Sequence, residues 1–275
     1  MENPNRFENR AREEFPTLTL HFIRHSKKEK APAGTPDEQV HLSEAGRELA
    51  AKKFEDPLDM RYSHIEGSPR IRTLETGAVA ATLDPNATLE SLGVGKARVN
   101  DGLDFKIDAQ TEFEKQFDEA YGKGEVLSFL VERSDALTRE TGLKGQSDYS
   151  GSAASIAEIV EHNYQVAKRG AKMLEQSANA ENDLSNSFER IMGTHATIPV
   201  CFLLKVVDKI KGRSERDTLM QVIGGAGFGE TEGFDTTFSK NGDDIDVRVT
   251  YTKGDYTFDE VVPETVLQEI IAEGK

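Results

Sequence analysis

Basic and polar side chains follow directly on an apolar run near the start of the chain. Residues 18–23 are apolar, β-branched or aromatic except for one histidine, and Arg24, His25 and Ser26 come next. A guanidinium group binds phosphoryl oxygens through paired donors, and a neutral imidazole nitrogen is a competent nucleophile near pH 7. The order of these residues predicts a strand that ends in an anion-binding nucleophile. The anion that suits these groups best is a phosphoryl group.

Two later segments also place basic side chains where a predicted strand meets a predicted helix. Arg70 and Arg72 follow a strand predicted over residues 61–68, and His195 follows a strand predicted over residues 188–193. Open α/β sheets bind ligands at the carboxyl ends of their strands. We therefore expect the three groups of basic residues to meet at one edge of a sheet.

Strands and helices alternate along the chain. Ser43 and Thr197 are residue types that cap helix N-termini, and Pro69 and Pro199 suit the first helical turn. Helices are predicted to begin near Ser43, Pro69, Ser152, Thr197 and Val262. The alternation predicts an α/β fold, in which helices cover both faces of a sheet.

The middle and the end of the chain depart from this alternation. Residues 84–150 are more polar, and we predict short helices there that form a lid over the strand ends. From Thr218 onward the hydrophobic period changes toward two, and residues 253–255 form a predicted hairpin turn. The predicted fold is an α/β three-layer sandwich with a mostly parallel central sheet, helices on both faces, an inserted lid-like segment and a C-terminal β-hairpin addition. We expect one domain over residues 1–275, with residues 1–16 as a loose arm.

Composition excludes several classes of function. A formal net charge of -15 argues against nucleic acid or an anionic membrane as a partner. No apolar run approaches the roughly 20 residues that span a bilayer, and the first residues lack the apolar core of a secretory signal. The single cysteine, Cys201, fits a reducing compartment, so we expect a cytoplasmic protein. The six histidines show no metal-ligand spacing.

Four segments are compared in chain order: Ile23–Ser26, Leu42–Ala50, Ser68–Thr76 and Gly193–His195. They resemble motifs of the histidine phosphatase superfamily, and of its phosphoglycerate mutase-like branch in particular. The first resembles that branch's Arg-His-Gly signature, the second its Leu-Thr-x-x-Gly-x-x-x-Ala helix and the third its Ser-Pro-x-x-Arg-Ala-x-x-Thr motif. The fourth resembles the late strand that brings in a second histidine.

The resemblance implies a role for each aligned residue. His25 is the expected nucleophile, Arg72 rather than Arg70 is the expected catalytic arginine, and Arg24 is expected to bind the phosphoryl group with it. His195 is expected to donate to a phosphoryl oxygen as an imidazolium. Substrate-binding roles are expected for Ser26, Lys28, Arg70 and Thr194, although Lys28 and Arg70 are also consistent with solvated surface positions.

The chain departs from the family pattern at two places. Ser26 stands where the family usually has glycine. The acid-phosphatase branch has aspartate after the second histidine, but this chain has Ala196. In the mutase-like branch the general acid belongs to a Leu-x-Glu pattern, and here Phe105 aligns with that glutamate. The adjacent Asp104 is therefore the predicted general acid, and Asp101 and Asp108 are the alternatives. Partly desolvated beside a dianionic substrate, its carboxyl group is expected to have a raised pKa.

The sequence predicts a phosphatase that hydrolyses a small phosphorylated substrate through a phosphohistidine. A phosphoglycerate mutase-type phosphotransferase and a phosphate-binding module without turnover are the alternatives. No cofactor and no metal are expected. Neither the identity of the substrate nor the oligomeric state follows from the sequence.

Overall fold

A seven-stranded sheet runs through the part of the chain that the computed structural model describes, residues 17–142, 147–176 and 187–275. The predicted arm over residues 1–16 lies outside these ranges. The strands are β1 (Thr17–Arg24), β2 (His64–Gly67), β3 (Ala97–Val99), β4 (Ser187–Thr194), β5 (Gly233–Asn241), β6 (Asp244–Lys253) and β7 (Tyr256–Val261).

The order of the strands across the sheet is β3-β2-β4-β1-β5-β6-β7. The first four strands in this order run parallel, and β5, β6 and β7 add antiparallel pairings. β6 and β7 pair across a turn at Gly254 and Asp255, where the sequence predicts a hairpin turn. The α/β class is confirmed. The sheet is mixed, because three antiparallel strands, rather than the predicted hairpin alone, follow its parallel part.

Helices lie between the strands and after them. They are α1 (Glu44–Ala50), α2 (Ile71–Thr82), α3 (Glu112–Lys123), α4 (Val126–Phe129), α5 (Asp135–Thr141), α6 (Tyr149–Gln176), α7 (Ile198–Lys211), α8 (Arg213–Ile223) and α9 (Glu264–Glu273). Short 3₁₀ helices cover Asp37–Gln39, Glu90–Leu92 and Asp101–Leu103, and a π-helical stretch, Leu130–Ser134, joins α4 to α5. None of the described helices is long and apolar enough to cross a membrane.

Side chains alternate along β1 between two apolar layers, because successive residues of a strand point to opposite faces. Leu20 and Phe22 belong to the principal core, which also contains residues of α6, α7 and α9. Ile23 belongs to a second layer with Ile65 and Ile191 of the neighbouring strands, packed against α2. Helices therefore cover both faces of the sheet.

The segment predicted as a lid contributes to the sheet and to the principal core. Its residues 97–99 form the edge strand β3. Leu103, Phe113, Leu127 and Leu130 are fully buried among the side chains of the principal core. The segment therefore adds the strand β3 to the sheet, and residue 104 follows shortly after the carboxyl end of that strand.

Two local predictions differ from the structure. The period of two predicted from Thr218 is wrong up to residue 223, because α8 continues there and buries Leu219 and Ile223, four residues apart, on one face. Thr197 is the N-cap residue of α7, but its side chain makes no capping hydrogen bond. By contrast, Ser43 caps α1 as predicted, because its side chain accepts a hydrogen bond from the Gly46 N–H.

Two glycines let α2 begin close to the sheet. Gly67 of β2 pairs with Gly193 of β4 at the carboxyl ends of the strands. A Cβ at Gly67 would lie 2.7 Å from Thr73 Oγ1, and a Cβ at Gly193 would overlap the Thr73 carbonyl group. Without side chains at these two positions, the first turn of α2 rests directly on the strand ends. This close approach places Arg72 at the same edge of the sheet as the residues that follow β1 and β4.

A buried histidine lies between two carboxylates on the α2 side of the sheet. His21 Nδ1 is 2.8 Å from Asp235 Oδ1, and His21 Nε2 is 3.4 Å from Glu189 Oε1. Burial by itself would lower the pKa of His21, but the hydrogen bonds and charges of Asp235 and Glu189 raise it to about 9. His21 is therefore protonated near neutral pH and joins β1 to β4 and β5 through charge-assisted hydrogen bonds.

His21→Gln should be most destabilising at low pH. Because the folded pKa lies above the ordinary value of 6.5, the stabilisation by His21 is fully present below about pH 6.5 and is lost as pH rises through about 9. We expect the difference in unfolding free energy between the wild type and His21→Gln to reach roughly 3 kcal/mol near pH 6. The difference should shrink toward pH 10 in denaturant titrations. The control variant is His162→Gln, which replaces an exposed histidine of α6. A pH-independent effect of His21→Gln would contradict this assignment.

Candidate functional site

The register of β1 against β4 brings two histidines together. Arg24 pairs with Thr194, so the next residue of each strand leaves the sheet at the same level. The backbone N–H of His25 donates to the Thr194 carbonyl group at 2.9 Å. The rings of His25 and His195 lie edge to face, with centroids 5.3 Å apart. Both histidines therefore lie at the carboxyl edge of the parallel strands.

Arg72, in the first turn of α2, reaches the His25 ring. His25 Nδ1 lies 2.8 Å from the Ser26 carbonyl oxygen, which accepts only if Nδ1 carries the proton. The lone pair is then on Nε2, and Arg72 Nε donates to it at 3.3 Å. This distance is longer than that of a typical N–H hydrogen bond, so the contact is weak and leaves Nε2 able to react. The guanidinium group itself is buried, with 4% of the residue exposed.

The surroundings of His25 hold its ring neutral. Burial lowers the pKa of His25 most, the hydrogen bond to the Ser26 carbonyl group raises it, and the charges of His195, Arg72 and Arg24 lower it again, to about 3 in all. A ring that is neutral throughout the physiological range keeps a free electron pair on Nε2. His25 therefore has the charge state that nucleophilic attack on phosphorus requires.

Asp104 lies against the second histidine. Its Oδ1 is 3.3 Å from His195 Nε2 and accepts a hydrogen bond from Arg70 Nε at 3.0 Å. Burial alone would raise the pKa of Asp104, but the hydrogen bonds from His195 and Arg70 outweigh burial and hold the pKa at about 2. Without substrate, Asp104 is therefore ionised, because two donors stabilise its carboxylate. The raised pKa predicted for Asp104 beside a bound dianion stays a prediction.

His195 also differs from its predicted charge state. Its Nε2 lies 3.0 Å from Ser68 Oγ as well as close to Asp104. Burial lowers the pKa of His195, and the positive charges of Arg70 and Arg72 lower it further, whereas Asp104 acts in the opposite direction. The imidazolium predicted for His195 is therefore not its state at neutral pH in the free protein. The ring donates through Nε2 as a neutral imidazole.

Arg24 is held by the segment that follows α8. Its Nη1 donates to the Phe228 carbonyl oxygen at 2.5 Å, in the glycine-rich segment 224–229. Within the described residues, the buried Nε of Arg24 has no hydrogen-bond partner. Since a buried donor without a partner costs free energy, this N–H can bind an anion close to His25. The glycine-rich segment thus anchors Arg24 through the Phe228 carbonyl oxygen.

An aspartate that the sequence analysis did not select contacts three cations at the site. The carboxylate of Asp37 accepts from Lys28 Nζ at 3.1 Å, from Arg72 Nη2 at 2.8 Å and from Arg70 Nη1. Arg70 therefore lies between two carboxylates, Asp37 on one side and Asp104 on the other. Arg70 and Lys28 both belong to the site, but they reach His25 only through these neighbours.

Two residues predicted to bind substrate have structural roles instead. Ser26 is fully buried, and its hydroxyl donates to the Gly46 carbonyl oxygen at 2.7 Å. Thr194 is also fully buried, and its hydroxyl donates to the Leu103 carbonyl oxygen at 2.8 Å. Both hydroxyls thus hold the loops that surround the strand ends. The substrate-binding predictions for Ser26 and Thr194 are corrected for this reason.

Sequence reasoning missed three contributors to the site. Asp37 is an acidic residue in a loop rich in proline and glycine, and nothing in its local pattern distinguishes it from a solvated aspartate. Phe228 contributes only its carbonyl oxygen, which no side-chain motif can indicate. Ser68 stands within the quoted Ser-Pro motif, so a signal existed for it. The described residues include no group of three or more histidine, cysteine or acidic side chains that could hold a metal ion.

Solved structures are similar to this chain at low sequence identity. A phosphoglycerate mutase from Bacillus anthracis is 16% identical, with a TM-score of 0.45, over 96% of this chain and 99% of that chain. A mycobacterial glucosyl-3-phosphoglycerate phosphatase is 16% identical, with a TM-score of 0.43, over 85% and 97%. Its complex with inorganic phosphate is 16% identical, with a TM-score of 0.41, over 85% and 95%. No protein-family model and no curated protein matches the sequence.

The charge state and tautomer of His25 can be measured directly. In nitrogen-detected NMR of the histidine rings, we expect His25 to stay neutral, with its proton on Nδ1, from pH 8 down to about pH 5, because its pKa is lowered to about 3. A His25 ring that takes up a proton near the ordinary value of 6.5, or one with its proton on Nε2, would contradict the geometry described above.

Proposed function

We propose that this protein is a phosphatase of the histidine phosphatase superfamily, which hydrolyses a small phosphomonoester through a phosphohistidine at His25. The observation that carries the proposal is the state of His25: a neutral ring whose Nδ1 is bound to a backbone carbonyl group and whose Nε2 faces a buried guanidinium group. A nucleophile in that state, next to fixed cationic donors, matches the requirements of phosphoryl transfer.

The charges of the site support an anionic substrate. Arg24, Arg70, Arg72 and Lys28 contribute four cations, whereas Asp37 and Asp104 contribute two carboxylates. The site is therefore cationic within a chain of formal net charge -15. In phosphoryl transfer the protein mainly positions the reactants and neutralises charge on the equatorial oxygens. Guanidinium groups suit this task because their planar donors match phosphoryl oxygens.

The first chemical step forms the phosphohistidine. His25 Nε2 uses its electron pair to form a bond to phosphorus while the bond from phosphorus to the ester oxygen breaks. Arg72, Arg24 and His195 donate to the phosphoryl oxygens, and the contact between Arg72 Nε and His25 Nε2 gives way to the phosphoryl group. The Ser26 carbonyl group keeps the Nδ1 proton in place and supports the positive charge that develops on the ring.

We propose Asp104 as the group that supplies a proton to the departing oxygen. In the free protein Asp104 is ionised, since its pKa is held at about 2. A phosphoryl dianion that binds beside it brings negative charge and competes for the donors of Arg70 and His195, and both effects favour the protonated carboxyl group. In the second step the carboxylate takes a proton from a water molecule, which attacks phosphorus and releases His25 and inorganic phosphate.

Ser26 does not obstruct this chemistry. Ser26 puts a side chain next to the nucleophile, where the family that the motifs resemble usually has glycine. The hydroxyl of Ser26 is fully buried and donates to the Gly46 carbonyl oxygen, so its hydrogen bond is made to α1. This placement favours an enzyme over a phosphate-binding module without turnover.

His25→Ala tests the proposed nucleophile. Hydrolysis of an aryl phosphate should fall by more than about a thousandfold, since the variant lacks the proposed nucleophile. If the wild-type reaction is quenched rapidly without acid, a phosphoryl group that is labile in acid should remain on the protein. The variant should carry no such group. The matched control is His162→Ala, which removes an exposed histidine from α6 and should leave turnover unchanged.

Activity of His25→Ala within tenfold of the wild type would reject the proposed nucleophile. Phosphoglycerates provide a further comparison in the same assay. Transfer of the phosphoryl group between hydroxyls, rather than release of inorganic phosphate, would identify a mutase. Binding of inorganic phosphate without any turnover would identify a binding module.

Asp104→Asn tests the proposed general acid. A positioned acid supplies typically 10²–10⁴-fold, so the variant should lose about that factor on alkyl phosphates, whose leaving oxygen needs a proton. Aryl phosphates with acidic phenols should lose much less, because the phenolate departs without a proton. Equal losses on both substrate types would assign Asp104 to the positioning of His195 and Arg70. No loss on either would move the role to Asp101 or Asp108.

A further inference from the structure

Asp37 accepts hydrogen bonds from the same donors that the proposed function assigns to the substrate. Its carboxylate accepts from Arg72 Nη2 at 2.8 Å, from Arg70 Nη1 and from Lys28 Nζ at 3.1 Å. Arg72 at the same time donates through Nε to His25 Nε2 at 3.3 Å. The carboxylate of Asp37 is therefore bound to the same guanidinium group that faces the nucleophile.

A carboxylate and a phosphoryl group place the same demand on a guanidinium group. Both offer two oxygens to a pair of parallel N–H donors, and both carry negative charge. If a phosphoryl dianion entered while the Asp37 carboxylate stayed on Arg72, the two anions would lie within a few ångströms of each other in a largely buried site. That repulsion is large where the effective dielectric constant is low. The two anions therefore exclude each other.

We infer that Asp37 is an internal competitor for the phosphoryl site, which the substrate must displace before His25 can react. The inference rests on the proposed function, because it assumes that the arginines beside His25 bind a phosphoryl group. It assigns to Asp37 a role in selection: a dianion that engages both arginines displaces the carboxylate, and a weakly bound anion does not. The return of Asp37 to the arginines also favours release of inorganic phosphate after turnover.

The position of Asp37 permits this exchange. Its side chain is 37% exposed, and it begins the short 3₁₀ helix Asp37–Gln39, none of whose residues is buried. The backbone carbonyl oxygen of Asp37 accepts separately from Arg72 Nη1 at 2.7 Å. Rotation of the side chain therefore releases the carboxylate from Arg70 and Arg72 while the backbone contact still holds Arg72 in place.

The alternative role for Asp37 is to position the arginines for the substrate. The two roles predict opposite effects of removing its charge. A competitor reduces the apparent affinity for phosphate in proportion to the fraction of time that it leaves the site free, so its removal tightens binding. A positioning residue increases affinity by holding the donors in place, so its removal weakens binding. The sign of the change in affinity therefore distinguishes the two roles.

The experiment compares Asp37→Asn with Glu38→Gln in calorimetric titrations of the full chain with inorganic phosphate. Asparagine keeps the shape of the side chain and a carbonyl oxygen for the arginines, but it removes the charge. Glu38 follows Asp37 on the same 3₁₀ helix, and its side chain makes no hydrogen bond to Arg70 or Arg72 among the described residues. Glu38→Gln therefore removes an equal charge without opening the site.

We expect Asp37→Asn to lower the Kd for inorganic phosphate by about tenfold, as a competitor present about nine-tenths of the time requires. Glu38→Gln should stay within about twofold of the wild type. In the phosphatase assay, inorganic phosphate should inhibit Asp37→Asn at correspondingly lower concentration. A thermal unfolding scan without phosphate confirms that both variants are folded.

A Kd for Asp37→Asn that equals or exceeds that of the wild type would overturn the inference and leave the proposed function intact. An equal gain in affinity for Glu38→Gln would also overturn it, because the effect would then be one of net charge. Absence of phosphate binding by the wild type and by both variants would overturn the inference together with the phosphate site on which it rests. Asp37→Ala provides a second test, in which the same tightening is expected without any side-chain acceptor.

Discussion

The parallel pairing of β1 with β4 is the constraint on which the rest of the site depends. Because Arg24 lies opposite Thr194, His25 and His195 leave the sheet together, and a backbone hydrogen bond between the strands holds them there. The absence of a side chain at Gly193 lets α2 rest on the same strand ends, so its first turn reaches the His25 ring. A slip of one residue would send the side chains of β1 to the opposite face and separate the two histidines.

Burial and cationic neighbours then decide the chemistry of the site. The same surroundings that lower the pKa of His25 to about 3 also place guanidinium donors around its electron pair. A single arrangement thus prepares a neutral nucleophile and a binding site for the anion that the nucleophile attacks. Asp37 and Asp104 balance part of the positive charge while the site is without substrate, and each gives up a donor to an incoming phosphoryl group under the proposals made above.

The charge states of Asp104 and His195 illustrate how far a pattern of residues can predict a site. The strand-end position of His195 follows from the sequence, because a short apolar run followed by polar residues places those residues at the edge of a sheet. Asp104 is indicated only by its place beside a motif that resembles the family's. The pKa values of the two residues do not follow, because these depend on which groups lie within hydrogen-bonding distance after folding. Arg70 and His195 reach Asp104 from two other strand ends, and together they reverse the shift that burial alone would produce.

The sequence by itself determined the α/β class, most of its strands and helices, and the strand-end positions of His25, Arg72 and His195, because these depend on the local periodicity of side chains and on short motifs. It did not determine the extent of α8, whose buried face shows only when its packing partners are present. Only the tertiary structure placed Asp37 on the arginines and the Phe228 carbonyl oxygen on Arg24. The physical reason is that these contacts join segments far apart in the chain and involve a solvated residue type and a backbone atom, neither of which leaves a signal in local sequence.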